Sequence, residues 1–263
     1  MLRFSANLGF LWSTLPLLDR VEAAARAGFS AVECHSPFEV EPAALAAACR
    51  LHGVSLLAFN SDAGDPGRGE FGYAALPGRE QDFDASMERA IAYAAASGAA
   101  AIHVLAGVTG ETPPESARTT FVANLRRAAD AASASGLTLL LEPLNTRDKP
   151  GYFYASADDV IARLKAIGRP NVRLLFDVYH VAASDSDVLN ALRRAASSIG
   201  HIQVAGVPAR AEPDEGTVNY REVFRTIREI GYDGWIGCEY RPRTTPEAGL
   251  GWIDALGGRE SID

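Results

Sequence analysis

The chain has 263 residues, 48% of them hydrophobic and 22% charged, with a net charge of −8. That length and balance admit a large buried core and exclude a disordered chain, and the acidic charge disfavours nonspecific attraction to nucleic acid or to an anionic membrane surface. Cys34, Cys49 and Cys238 contain no CxxC pair, so neither a zinc knuckle nor a disulfide framework organises the chain. The N-terminus has no signal-peptide pattern and no run is apolar enough to span a bilayer; the expected location is cytoplasmic.

In chain order, Leu2 to Leu8 reads as a first strand, and a helical pattern follows from about Pro16 to Arg26, with Pro at its start and Gly28 just beyond its end. Phe29 to Cys34 is a second strand, Pro42 to His52 an alanine-rich helix closed by Gly53, and Val54 to Asn60 a third strand. The next connection, residues 61–78, holds five glycines and two prolines. A link of that length is either a mobile surface loop or a lid over a site; Asp65, Arg68 and Glu70 favour the lid.

Arg79 to Ser97 carries an apolar stripe of Phe83, Met87, Ala90, Ile91 and Ala94. Strand four is Ala101 to Ala106, and a helix runs from about Pro114 to Ser135. Strand five is Leu137 to Leu141, an aliphatic run of the kind buried on both faces of a parallel sheet, ending in Glu142-Pro143. Helix Ser156 to Ile167, strand Val172 to Asp177, helix Asp185 to Ala196, a strand through His201 and Gln203, helix Asn219 to Ile230, strand Gly234 to Glu239 and helix Pro246 to Ala255 complete the chain.

Eight strands and eight helices alternate without a linker or composition shift. This predicts one domain over residues 1–263, an α/β fold of the (β/α)8 barrel type. An open doubly wound sheet would gather polar residues at one switch point, whereas here they mark at least four strand ends, and no GxGxxG follows strand one.

In a barrel those strand ends converge on one face. Glu142, Asp177, Gln203 and Glu239, each about one βα unit apart, would bring three anions and an amide together. Such a cluster repels unless a cation neutralises it, and its all-oxygen donor set suits Mg²⁺ or Mn²⁺ better than zinc or copper. Scattered buried carboxylates paired with arginines are the competing reading. It accommodates one such residue easily and three in consecutive units poorly.

His180, three residues past Asp177, is a candidate to hydrogen-bond a substrate oxygen; a solvated loop histidine is the alternative. His201 shares a face with Gln203 and reads as a core or supporting residue, and His103 as a core residue. His35 and His52 carry no signal. Arg210 is a candidate to bind a substrate carboxylate, with Glu212 beside it at the substrate; a surface ion pair between the two is the rival reading. Asn7 and Asn60 end strands and offer neutral hydrogen bonds to a substrate. Cys238 adjoins Glu239 but alternation points it the other way.

The segments Arg3-Phe4-Ser5-Ala6-Asn7-Leu8, Pro77-Gly78-Arg79, Leu141-Glu142-Pro143-Leu144-Asn145, Asp177-Val178-Tyr179-His180, His201-Ile202-Gln203-Val204-Ala205 and Gly237-Cys238-Glu239-Tyr240 together resemble hydroxypyruvate isomerase. That family sits within the xylose-isomerase-like barrels, beside the 2-oxo-tetronate isomerases and ketose 3-epimerases. The resemblance runs from about residue 1 to Trp252. It implies one divalent cation on Glu142, Asp177, Gln203 and Glu239, and proton shuttling by Glu142 and Glu239. The implied reaction interconverts hydroxypyruvate and tartronate semialdehyde through a cis-enediolate, in a chain that associates with copies of itself and acts on a small hydroxy-carbonyl acid. A 2-oxo-tetronate isomerase or ketose 3-epimerase is the alternative on the same scaffold. The chain departs from the pattern at Phe59, where some members carry histidine, in the Ala205-Gly206-Val207 and Ala209 stretch, and at Ala211, which replaces a common glycine.

Overall fold

Alternation along each strand sorts the side chains of this protein into two layers. A computed structural model, which describes residues 1–184 and 187–258, shows eight parallel strands closed into a barrel in sequence order. They are β1 (Arg3–Asn7), β2 (Ala31–Cys34), β3 (Ser55–Asn60), β4 (Ala101–His103), β5 (Thr138–Leu141), β6 (Val172–Asp177), β7 (Ile199–Val204) and β8 (Trp235–Cys238). Phe4, Val32, Phe59, Ile102, Leu139, Leu141, Leu174, Phe176, Ile202, Val204, Ile236 and Cys238 join the apolar core between barrel and helices. Their neighbours face the bore. Ala58, Ala101, Leu140 and Leu175 form a separate small cluster there, and above them the same face of each strand turns polar. Cys238 therefore points away from Glu239, as alternation requires.

The helices are α1 (Leu17–Arg26), α2 (Pro42–His52), α3 (Glu80–Ser97), α4 (Pro114–Ser133), α5 (Ala157–Ile167), α6 (Val178–Ala183), α7 (Val188–Ala195), α8 (Tyr220–Glu229), α9 (Pro246–Gly249) and α10 (Trp252–Ala255). Two differ from the simple alternation read in the sequence. The final helix breaks near Gly251 into α9 and α10, and a six-residue helix, α6, starts directly at the end of β6. Asp177 caps it, its Oδ1 accepting from the Tyr179 backbone N–H at 2.8 Å. Asp185, placed at the start of the next helix, lies outside the described residues; that helix begins at Val188. No helix among the described residues is long and apolar enough to cross a membrane.

The long connection after β3 contains a 3-10 turn, Pro66–Arg68, capped by Asp65. The charges that favoured a lid brace the loop itself. Glu70 accepts from the Asp65 N–H at 2.9 Å and the Tyr73 hydroxyl at 3.1 Å, and pairs with Arg79 at 2.8 Å. It is Ser61, Asp62, Ala63, Gly64 and Phe71 of this segment that face the central cavity.

Where β7 ends, the fully buried Tyr220 of α8 grips its last turn. The hydroxyl donates to the Ala205 carbonyl at 2.6 Å and accepts from the Ala205 N–H at 3.1 Å. Removing that hydroxyl strands two backbone groups without water, so Tyr220→Phe is expected to cost about 2 kcal/mol. Urea denaturation checks this as a lowered midpoint with an unchanged m-value.

Candidate active site

The strand registers set the polar side chains at one level. Asn7 pairs with Glu33, Asn60 with His103, and Asp177 with Gln203. Glu142 and Glu239 follow directly on β5 and β8. Above them opens a cavity of ≈ 620 Å³ whose wall includes Asn60, His103, Glu142, His180, Arg210 and Glu239.

The carboxylates differ in how they are held. Glu239 Oε1 accepts from Asn7 Nδ2 at 3.1 Å and His35 Nε2 at 2.9 Å, while its Oε2 accepts from Arg210 at 2.7 Å. Burial would raise its pKa, but the Arg210 guanidinium and the His35 hydrogen bond outweigh it and hold the carboxyl at about 2. Glu142 has no such support: its Oε1 is buried without a hydrogen-bond partner. Burial first, then the charges of Glu239 and Asp177, push its carboxyl well above the usual range. Burial likewise lifts Asp177 to about 7, against the pull of Arg210, whose Nη2 lies 3.4 Å from Asp177 Oδ2.

Gln203 is oriented from below. Its Nε2 donates to Glu33 Oε1 at 2.7 Å, which leaves Gln203 Oε1 buried and unpartnered. Glu33 also receives Asn7 Nδ2 at 3.0 Å and His201 Nε2 at 2.5 Å. Gly237 makes this possible, since a Cβ there would stand 2.5 Å from Glu33 Oε1 and 2.9 Å from Gln203 Cγ.

His180 is likewise fixed. Its Nδ1 accepts from the Asn145 backbone N–H at 3.1 Å and from Asn145 Nδ2 at 2.8 Å. The amide's orientation follows from its Oδ1, which accepts the N–H groups of Arg147 and Asp148. Burial first, then Arg210, hold the imidazole down at about 3, so it is neutral with its hydrogen on Nε2. That Nε2 lies 3.8 Å from Glu142 Oε1 and 3.7 Å from Asp177 Oδ2. Glu142, Asp177 and His180 thus form a buried group compact enough to hold a metal ion. The tautomer argues for a different division: His180 offers an N–H, whereas Glu142 Oε1 and Gln203 Oε1 offer lone pairs that nothing else satisfies. Buried carboxylates short of counter-charge and an amide oxygen turned inward fit a hard divalent cation.

Several expectations are corrected by this geometry. Glu212 does not line the cavity; it is buried against Arg243, whose Nε lies 3.1 Å from Oε2 and whose backbone N–H adds a bond at 3.1 Å. No Arg210–Glu212 pair forms, because Arg210 turns inward at φ 53°, a strained backbone for a non-glycine residue. Its guanidinium lies 4.7 Å from the Tyr179 ring and 5.0 Å from that of Phe10, in the cavity wall; Nη2 is held by Asp177 and Glu239, while Nε is buried without a partner. Asn7 sits beneath the carboxylates instead of facing the cavity. Asn60 does face it, with Oδ1 accepting from His103 Nδ1 at 3.1 Å.

His103 is buried, but in the cavity wall, its Nδ1 3.5 Å from Glu142 Oε2. His201 supports from below, as read. His35, which carried no sequence signal, contacts Glu239 directly; Gly9 makes room for its ring. Phe59 points outward into an aromatic cluster with Phe38 and Tyr93, so that departure from the family pattern does not touch the site.

Comparison with known proteins agrees with this architecture. The profile of the Xylose isomerase-like TIM barrel family matches residues 21–256. The chain belongs to that family. Among curated relatives in this family, a 2-oxo-tetronate isomerase of Cupriavidus necator is 47% identical over 98% of this chain and 100% of its own length. A hydroxypyruvate isomerase of Escherichia coli is 38% identical over 97% and 99%. A crystal structure from Brucella melitensis, described as an AP endonuclease of family 2, superposes with a TM-score of 0.94 at 38% identity, covering 97% of this chain and 99% of that one. This xylose isomerase-like barrel is an enzyme of the aldose–ketose isomerase type.

Proposed function

We propose that the protein is a metal-dependent isomerase that moves a carbonyl between C2 and C3 of a small hydroxy-carbonyl acid. The observation that carries the reading is the unequal pair of buried glutamates, one tightly held and one with an oxygen left free for a proton. Hydroxypyruvate and 2-oxo-tetronate both have a C2 carbonyl beside a hydroxylated C3, and they differ by one CH(OH) unit. The relative with the higher identity favours the four-carbon acid; hydroxypyruvate, interconverted with tartronate semialdehyde, is the second reading.

Glu142, Asp177, Gln203 and Glu239 would hold one magnesium or manganese ion, which when bound withdraws charge from the carbonyl and hydroxyl oxygens and so acidifies the C–H between them. The Glu142 carboxylate, ionised once the cation is in place, takes the proton from C3 through the oxygen the ion leaves free and gives a cis-enediolate. Return of a proton to C2, from Glu142 or from Glu239, with the O3 hydroxyl proton passing to O2, completes the shift. His180 donates its Nε2 hydrogen to a substrate oxygen, and Arg210 keeps Glu239 ionised and opposes the burial that lifts Asp177. An endonuclease reading has the description of the Brucella structure behind it, but the chain carries a net charge of −8 and only five histidines. A net negative charge disfavours a phosphate backbone.

The test is turnover in D2O. Purified protein supplied with Mg²⁺ or Mn²⁺ is expected to isomerise one or both acids with deuterium entering at carbon, and to leave the free ketose D-psicose untouched. Turnover of neither acid, or epimerisation of the ketose at comparable kcat/KM, would overturn the reading.

A further inference from the structure

An acid substrate needs a cation, and the charge of the site's own arginine is already shared between Glu239 and Asp177. Besides Arg210, the cations in the cavity wall are Lys149 and Arg241. Lys149 is half-buried, and its ammonium lies 3.8 Å from the centroid of the Phe71 ring. It makes no ion pair with any described carboxylate. The anions nearest in sequence or along the wall are engaged elsewhere: Asp62 lies 3.4 Å from Arg89, and Asp148 is bonded to Tyr179 and Asn145.

The position is built rather than incidental. The Lys149 N–H donates to the Asn145 carbonyl at 3.1 Å, in the loop that leaves Glu142 and fixes His180. Phe71 reaches in from the connection after β3 and packs edge-on against Tyr152, centroids 5.9 Å apart. Tyr152 is anchored in turn, its hydroxyl accepting from the Ala106 N–H at 2.9 Å. An aromatic face attracts the ammonium without neutralising it, so the full charge remains for a ligand. The chain has only two lysines, Lys149 and Lys165, against a large excess of arginine. Arg241 lies out on the rim, exposed, 5.5 Å from the Phe10 ring.

We propose that Lys149 is the specificity residue of this cavity: its ammonium, seated on Phe71, binds the carboxylate of the substrate and so separates hydroxy-carbonyl acids from neutral sugars. The inference rests on the proposed acid-isomerase reading for its substrate class. With three carboxylates, Arg210 and a divalent ion, the centre is close to neutral, and a substrate carboxylate finds its attraction at Lys149 instead.

The experiment uses D-glycerate, which keeps the carboxylate and hydroxyls but has no carbonyl to isomerise, and dihydroxyacetone as its neutral counterpart. Binding to the Mg²⁺-supplemented protein is measured by calorimetry for the wild type, Lys149→Met and Lys149→Arg. Lys149→Met is expected to weaken glycerate about 10- to 100-fold, with dihydroxyacetone unchanged. Lys149→Arg should stay within a few fold of the wild type, and in turnover Lys149→Met should raise KM far more than it lowers kcat. Glycerate binding to Lys149→Met as to the wild type, or a loss reproduced by Arg241→Met instead, would overturn the assignment. Lysine-dependent glycerate binding in a protein that turns over neither acid would leave Lys149 in place and remove the proposed reaction.

Discussion

Glu142→Gln is expected to lower kcat by about 10³-fold or more, and Glu239→Gln by a comparable factor, yet the two variants should part company in stability. Glu142 is a buried carboxylate with an unpartnered oxygen and like charges nearby, so a neutral amide relieves desolvation and repulsion; the metal-free variant should melt no lower than the wild type. Glu239 receives Asn7, His35 and Arg210. Its amide replacement leaves donors facing a donor and is expected to cost about 1–3 kcal/mol. Steady-state kinetics and thermal melts, with circular dichroism to confirm the fold, check both halves. Activity within tenfold of wild type in either variant would reject its role in proton transfer.

Removing the divalent ion should be as severe as removing Glu142. Protein dialysed against EDTA is expected to lose turnover and to regain it with Mg²⁺ or Mn²⁺, because Glu142 Oε1 and Gln203 Oε1 of the proposed ligand set are buried without another partner. The returning ion should also raise the melting temperature, since it binds the folded arrangement and not the unfolded chain. Full activity after chelation would contradict the metal-dependent reading.

The barrel and its polar strand ends were legible because period-2 alternation is a local property. An apolar strand that ends in Glu142, Asp177 or Glu239 declares its inward position without reference to any other strand. Glu33 follows the same rule inside Ala31-Val32-Glu33-Cys34, but it stands one residue before the strand's end, level with Asn7 across β1 and β2 and at a register irregularity against β3. A carboxylate in an apolar strand was the signal available there.

Other residues were illegible for a different reason: their roles depend on partners far away in sequence. His35 is defined by Glu239, Glu212 by Arg243, and Asn145 by His180. Nothing next to Glu212 distinguishes burial against a distant arginine from exposure beside Arg210. The left-handed backbone of Arg210, which turns the guanidinium inward, has no glycine or asparagine to announce it. The short helix after β6 was hidden because Asp177 does two jobs. One oxygen caps the helix while the other faces the site.

Anomalous diffraction from a crystal soaked in Mn²⁺ reaches the central claim most directly. A single peak is expected among Glu142, Asp177, Gln203 and Glu239, with Gln203 contributing the oxygen that Glu33 leaves free and with His180 Nε2 unbonded to the ion. A peak ligated by His180, or density that leaves Gln203 and Glu239 outside the ion's reach, would contradict the account.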